Sequence, residues 1–106
     1  MPKYLVQANY VGEGVKALCK EGGSSRRAAV EKLFDSVGGK LEAFYYAFGD
    51  TDVFVIADAP DNVSAAALSL AVNASGAATA KVTVLLTAEE IDAAAKKTVS
   101  YRAPGK

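Results

Sequence analysis

The sequence predicts an α+β domain of element order βαββαβ, with an antiparallel sheet, helices on one face and an added short helix near the C-terminus. Three observations predict it. Four short segments are rich in β-branched and aromatic residues. Stretches of helical spacing or helix-forming composition follow the first and the third of these. Gly, Asp, Asn and Pro punctuate the boundaries between segments. Two split βαβ units in 106 residues give the ferredoxin-like sandwich.

The elements follow in order. Lys3 to Val11 reads as a strand with two alternating sets, Tyr4-Val6-Ala8-Tyr10 and Leu5-Gln7-Asn9-Val11. Gly12 and Gly14 interrupt it, and Gly14 to Glu21 forms a short helix closed by Gly22-Gly23. Ser24 or Ser25 is placed to cap a longer helix. In that helix Val30, Leu33, Phe34 and Val37 fall at i, i+3, i+4 and i+7, a single apolar stripe. After Gly38-Gly39, Lys40 to Phe48 is a second strand, Gly49 to Asp52 a turn, and Val53 to Ala57 a third strand. Asp61 is a plausible N-cap for an Ala-rich helix that runs to about Asn73. Ala80 to Leu86 is the fourth strand. Thr87 and Glu90 have capping-box spacing for a last helix ending near Lys97. The chain thus divides into a domain over residues 1–97 and a polar tail over residues 98–106. Tyr101 and Arg102 mark that tail as one that docks, because both residue types favour contacts.

Composition excludes several functions. Twelve Lys and Arg balance twelve Asp and Glu. No net field draws the chain to nucleic acid or to an anionic membrane. No apolar run has transmembrane length, and residues 1–4 lack a signal-peptide core, so the expected location is cytoplasmic. There is no His, which removes the commonest general base and metal ligand. A single Cys, Cys19, rules out an intrachain disulfide. Its neighbours Val15 and Leu18 suggest a buried small hydrophobe rather than a reactive thiol. The expected metal and cofactor complement is none.

The strands carry an assembly signal. The second strand reads Leu41-Ala43-Tyr45-Ala47 on one side and Glu42-Phe44-Tyr46-Phe48 on the other. The third reads Val53-Val55-Ala57 against Phe54-Ile56-Asp58. Both sides are largely apolar, while helices cover one face only. A bare apolar sheet face exceeds what monomers expose. The expectation is a homo-oligomer, at least a dimer, joined through the open face.

The segments KYLVQANY, KEGGSSRRAAVEKL, GGKLEAFYYAFGD, DNVSAAALSLAVNASGA and LLTAEEIDAAAKK, with the YRAPG end, resemble the GYD-domain family of small bacterial proteins over almost the whole chain. That resemblance implies a fold similar to dimeric α+β barrels, and a family without a settled biochemical function. The family's hairpin motif reads Gly-Asp-Tyr-Asp in its nearest variant. Here the turn is Gly49-Asp50-Thr51-Asp52, with Thr51 in place of the Tyr. A catalyst built on that Tyr is therefore not expected.

Candidate sites are few. Gly22-Gly23-Ser24-Ser25-Arg26-Arg27 outlines an anion cradle of hydroxyls, helix N-terminal amides and guanidiniums. Its structural alternative is a helix cap whose arginines pair with acids such as Asp50 or Asp52. A cation in the first helical turn opposes the macrodipole, so negative charge is expected near Arg26 and Arg27. Their 100° separation points one inward and the other to solvent. Asp50 and Asp52 are too few oxygens for a hard cation and read as turn or ion-pair residues. Gln7 and Asn9 need partners inside a sheet, either across strands or on a ligand. Tyr45 and Tyr46 read as core or interface aromatics. No catalytic constellation is recognisable. The leading expectation is a non-enzymatic, homo-oligomeric assembly or small-molecule-binding module with a small anionic ligand. The alternative is a cofactor-independent oxygenase or isomerase, by analogy of fold.

Overall fold

The computed structural model describes all 106 residues. Its elements are β1 (Lys3–Tyr10), α1 (Gly12–Glu21), α2 (Gly23–Asp35), β2 (Lys40–Tyr46), β3 (Val53–Asp58), α3 (Asn62–Ala74), β4 (Ala78–Leu85) and α4 (Ala88–Ala95). The four strands form one antiparallel sheet in the order β2-β3-β1-β4. β2 and β4 are free edges, so the chain is an open α+β sandwich and not a closed barrel.

Register settles which sheet face meets the helices. Tyr4, Val6 and Ala8 of β1 oppose Ala57, Val55 and Val53 of β3, and these side chains point to α2 and α3. Phe34 of α2 and Leu68 of α3 close on Val53, Val55 and Ala57. Tyr4, Ala59 and Ala65 form a second small cluster beside it. The amphipathic stripe read from the sequence is this contact, with Val30, Leu33 and Val37 partly buried around Phe34. The opposite face carries Leu5, Gln7, Phe54, Ile56 and Tyr45, and no element of the chain covers it.

β2 departs from simple alternation. Leu41 pairs with Ala57, but Ala43 pairs with Ile56 and Phe44 with Val55, so the register shifts between Leu41 and Ala43. A bulge there puts two residues opposite one and flips the phase of the strand. Leu41, Phe44 and Tyr46 consequently share the helix side, while Ala43 and Tyr45 lie on the open side. The strict alternating sets expected for this strand are split at that point.

Helix ends follow their chemistry in two cases and not in a third. Asp61 caps α3 by accepting from Ser64 N–H at 2.8 Å. Thr87 and Glu90 form the capping box of α4, at 3.1 and 2.9 Å. By contrast α2 starts at Gly23 with Gly22 as its N-cap, and neither Ser24 nor Ser25 makes a capping bond. Gly22 has φ +87°, a left-handed conformation open to glycine, and it turns the chain directly from α1 into α2. Gly14 has a steric role: a Cβ there would collide with the Ala77 carbonyl, where α1 crosses the start of β4. Cys19 is exposed rather than buried. α1 packs on α2 and β1 through a narrow strip that leaves Cys19 outside it.

Packing is thin for the length. Nine of the 106 residues are buried, and all nine belong to the helix-covered half or its margins. The radius of gyration is 16.9 Å, against about 13 Å for a compact domain of this size. Every residue of α4 is exposed, and the tail beyond it lies open except at Ala103. No helix is long and apolar enough to cross a membrane.

Candidate functional site

Between the helices and the sheet lies a cavity of about 250 Å³. β1 sends Tyr4, Val6, Ala8 and Tyr10 into it from below, and α2 and α3 roof it with Phe34 and Leu68 among others. β4 contributes only small or short side chains, Ala78, Ala80 and Val82. This composition explains why the space exists. Alanines along β4 and α3 let the backbones approach but leave the volume between Leu68, Phe44 and β1 unfilled. Every lining residue is hydrophobic except Arg26 and Ser69. An apolar cavity this size is larger than one that admits benzene, about 150 Å³.

One end of the cavity is polar. Arg26 enters from the first turn of α2, and Tyr10 reaches it from the end of β1. Tyr46 sits beside them and donates its hydroxyl hydrogen bond to the Gly23 carbonyl at 3.0 Å. Burial pushes the Tyr46 phenol up, the nearby Tyr10 hydroxyl adds to that, and Arg26 pulls the other way. At the far end, Tyr4 donates to Asn62 Oδ1 at 2.7 Å. Burial raises the Tyr4 phenol, and the Asp61 carboxylate raises it further. These tyrosines therefore stay protonated and act as hydrogen-bonding groups. No carboxylate lines the cavity.

The residues singled out from the sequence scatter around this site. Arg26 reaches the cavity, and Tyr46 stands at its polar end. Arg26 Nη1 lies 3.6 Å from Glu21 Oε2, and Arg27 Nε lies 3.6 Å from Glu31 Oε1. The acids are thus local helix neighbours, not Asp50 or Asp52. Arg26 is the more enclosed of the two, its side chain 35% exposed against 58% for Arg27. Pairs this exposed contribute less than about 1 kcal/mol. Ser24 and Ser25 are exposed on the first turn of α2. Asn9 and Asp52 come together as a clamp at the hairpin. The Asp52 N–H donates to Asn9 Oδ1 at 2.8 Å, and Asp52 Oδ2 accepts from the Tyr10 N–H at 3.0 Å. Asp50 is exposed in the turn, and Gln7 lies on the open face between Phe54 and Lys81. No group of three His, Cys, Asp or Glu side chains is arranged to hold a metal ion.

Tyr10, Ser69 and Tyr4 line the cavity without having been singled out. The signal for Tyr10 and Tyr4 was their membership of one alternating set in β1. Nothing in sequence spacing pointed to Ser69.

The architecture defines a class: an open α+β sandwich whose helix-covered face encloses an apolar cavity and whose other face is bare. The GYD domain family matches residues 4–95, and the chain belongs to that family. No curated protein and no solved structure shows a significant match to the chain.

Proposed function

We propose that this chain is a ferredoxin-like, homo-oligomeric module that binds a small, mostly apolar molecule with an anionic or hydrogen-bond-accepting end. The observation that carries the reading is the cavity, apolar throughout but for Arg26 and Ser69, with Tyr10 and Tyr46 at the Arg26 end. Apolar walls supply affinity and a few convergent polar groups fix orientation, which is how small-molecule sites are generally built. A ligand carboxylate or phenolate would displace Glu21 from Arg26, at little cost because that pair is long and half-exposed. The bare sheet face supports assembly through a second copy, in the manner of dimeric α+β barrels.

One observation favours a cofactor-independent enzyme as a second reading. Two phenols and a guanidinium at the end of an apolar cavity could stabilise an oxyanion forming on a bound substrate. With no carboxylate in the lining, a proton acceptor would have to come from the substrate or from a second copy. Native mass spectrometry and thermal shift with a panel of small aromatic and aliphatic acids test the binding reading. Expected is retention of a one-to-one ligand with a raised melting temperature, diminished in Arg26→Leu. Absence of any retained ligand across acids and their neutral analogues would contradict it.

A further inference from the structure

We infer that Ser69 donates a hydrogen bond to the ligand of the cavity, that Asn73 holds it in that role, and that the cavity thereby selects an apolar acid carrying a second acceptor, such as a ketone, apart from the one at Arg26. The inference rests on the binding reading of the cavity.

Arg26 and Ser69 are the two lining residues that are not hydrophobic. α3 otherwise presents Ala65, Leu68 and Val72 to the space. A helical serine commonly bonds back to a carbonyl of the preceding turn. Ser36 and Ser75, at helix ends, do so on the Leu33 and Val72 carbonyls at 2.6 Å. Ser69 does not, and its hydroxyl oxygen instead accepts from Asn73 Nδ2 at 3.2 Å.

The β4 backbone fixes the direction of that bond. The Ala80 N–H donates to Asn73 Oδ1 at 3.0 Å, and a backbone N–H can only donate. The amide oxygen therefore faces Ala80 N, and the amide nitrogen is the atom left for Ser69. Asn73 Nδ2 also meets the Ser69 carbonyl at 2.8 Å and the Ala80 carbonyl at 3.3 Å, which pins the amide between helix and strand. Toward Asn73, Ser69 Oγ is thus an acceptor. A hydroxyl has one hydrogen, and here no group of the chain takes it. With its Asn73 side occupied, the hydroxyl has the cavity as the direction for that hydrogen. Pairing of both Ala80 backbone groups on a free edge strand accounts for Asn73 without a ligand. It does not account for the serine, since an alanine would fill the wall as its neighbours do.

The two polar anchors stand apart. Asn73 ties Ser69 to Ala80, which opposes Ala8, while Tyr10, beside Arg26, opposes Ala78. Two strand positions span about 7 Å. The group at Ser69 is therefore a second acceptor, several bonds from the one at Arg26.

Dissociation constants for octanoic acid and for the oxo-octanoic acids with a ketone at each position from mid-chain outward test it. These acids have about ten to eleven non-hydrogen atoms, close to what 250 Å³ holds if benzene takes about 150 Å³. At least one oxo acid is expected to bind about three- to tenfold tighter than octanoic acid, the gain of one hydrogen bond. Ser69→Thr is expected to keep that gain and Ser69→Ala to lose it, with octanoic acid bound alike in all three proteins. Asn73→Asp is the sharper variant: its carboxylate accepts from both the Ala80 N–H and the Ser69 hydroxyl, turning the hydrogen away from the cavity. The ketone preference is expected to vanish there with Ser69 still present and the fold retained by circular dichroism. Octanoic acid bound with no oxo acid gaining on it, or a gain that survives in Ser69→Ala, would overturn the inference and leave the binding reading standing. No binding of octanoic acid or of any oxo acid would count against the binding reading and overturn the inference with it.

Discussion

The two faces of the sheet share the same strands and differ in what completes them. On the helix side, Tyr4, Val53, Val55 and Ala57 are buried by α2 and α3 within one chain. On the other side, Leu5, Phe54, Ile56 and Tyr45 present comparable apolar surface with nothing over it, and Tyr45 is 70% exposed. A strand with both sides apolar has to find two covers. The first cover leaves an internal cavity and the second is missing from the single chain. The two faces thus differ in kind: one is closed by the chain's own helices over an apolar cavity, and the other stays bare in the single chain.

The largest effect that sharpens this contrast is on the covered side. Phe34→Ala removes the aromatic that closes both α2 and the cavity, and is expected to cost about 3–5 kcal/mol in urea unfolding. On the open side Phe54→Lys is expected to lower the mass in solution toward that of one chain, and to abolish any concentration dependence of the melting temperature. Equal loss of intrinsic stability in both variants would erase the distinction between the faces. Ala80→Leu probes the cavity itself. In a well-packed core the added carbons would cost about 1–3 kcal/mol. Beside an empty apolar space they are expected to leave stability unchanged or raised, and to weaken ligand binding. Tyr4→Phe removes the bond to Asn62 and is expected to cost about 1 kcal/mol.

The smallest effect is an acid limb. The Asp61 carboxyl is held below its ordinary range by the Ser64 N–H it accepts from at the start of α3. Its ionised form is favoured in the folded state, so its contribution is present above the unfolded pKa and fades as pH falls below about 4. Asp61→Asn is expected to flatten that limb in unfolding experiments without changing stability near neutrality by much, because Asn also caps. Lys3 behaves with the opposite sign. Its bonds to Glu42 and Asp58 raise its pKa, so that contribution holds below the unfolded value and is lost only as pH climbs above about 10.4 and through the raised one.

Much of this contrast was legible in the residues. The stripe Val30-Leu33-Phe34-Val37, the Asp61 cap and the Thr87–Glu90 box are local patterns, and local patterns survive folding. The two apolar sides of β3 were also plain, because its register is unbroken. β2 was not, because a bulge at Leu41/Ala43 is set by pairing with β3 and leaves no mark in spacing. Cys19 sits next to Leu18 in sequence, yet α1 touches the body along too narrow a strip to bury it. The cavity was beyond reach for the same reason. It is a missing volume among Ala8, Ala65 and Ala80, and a sequence shows that alanines are present but not that three elements hold them apart. The arginines were read correctly as needing acids, while their partners turned out to be Glu21 and Glu31 on the adjoining helical turns.

In the proposed assembly the open face belongs to a second copy. Light scattering coupled to gel filtration at micromolar concentration measures it most directly. Expected is a mass of at least twice the 10.9 kDa of one chain, reduced by Phe54→Lys; a wild-type peak at 10.9 kDa would mean that the face stays bare in solution.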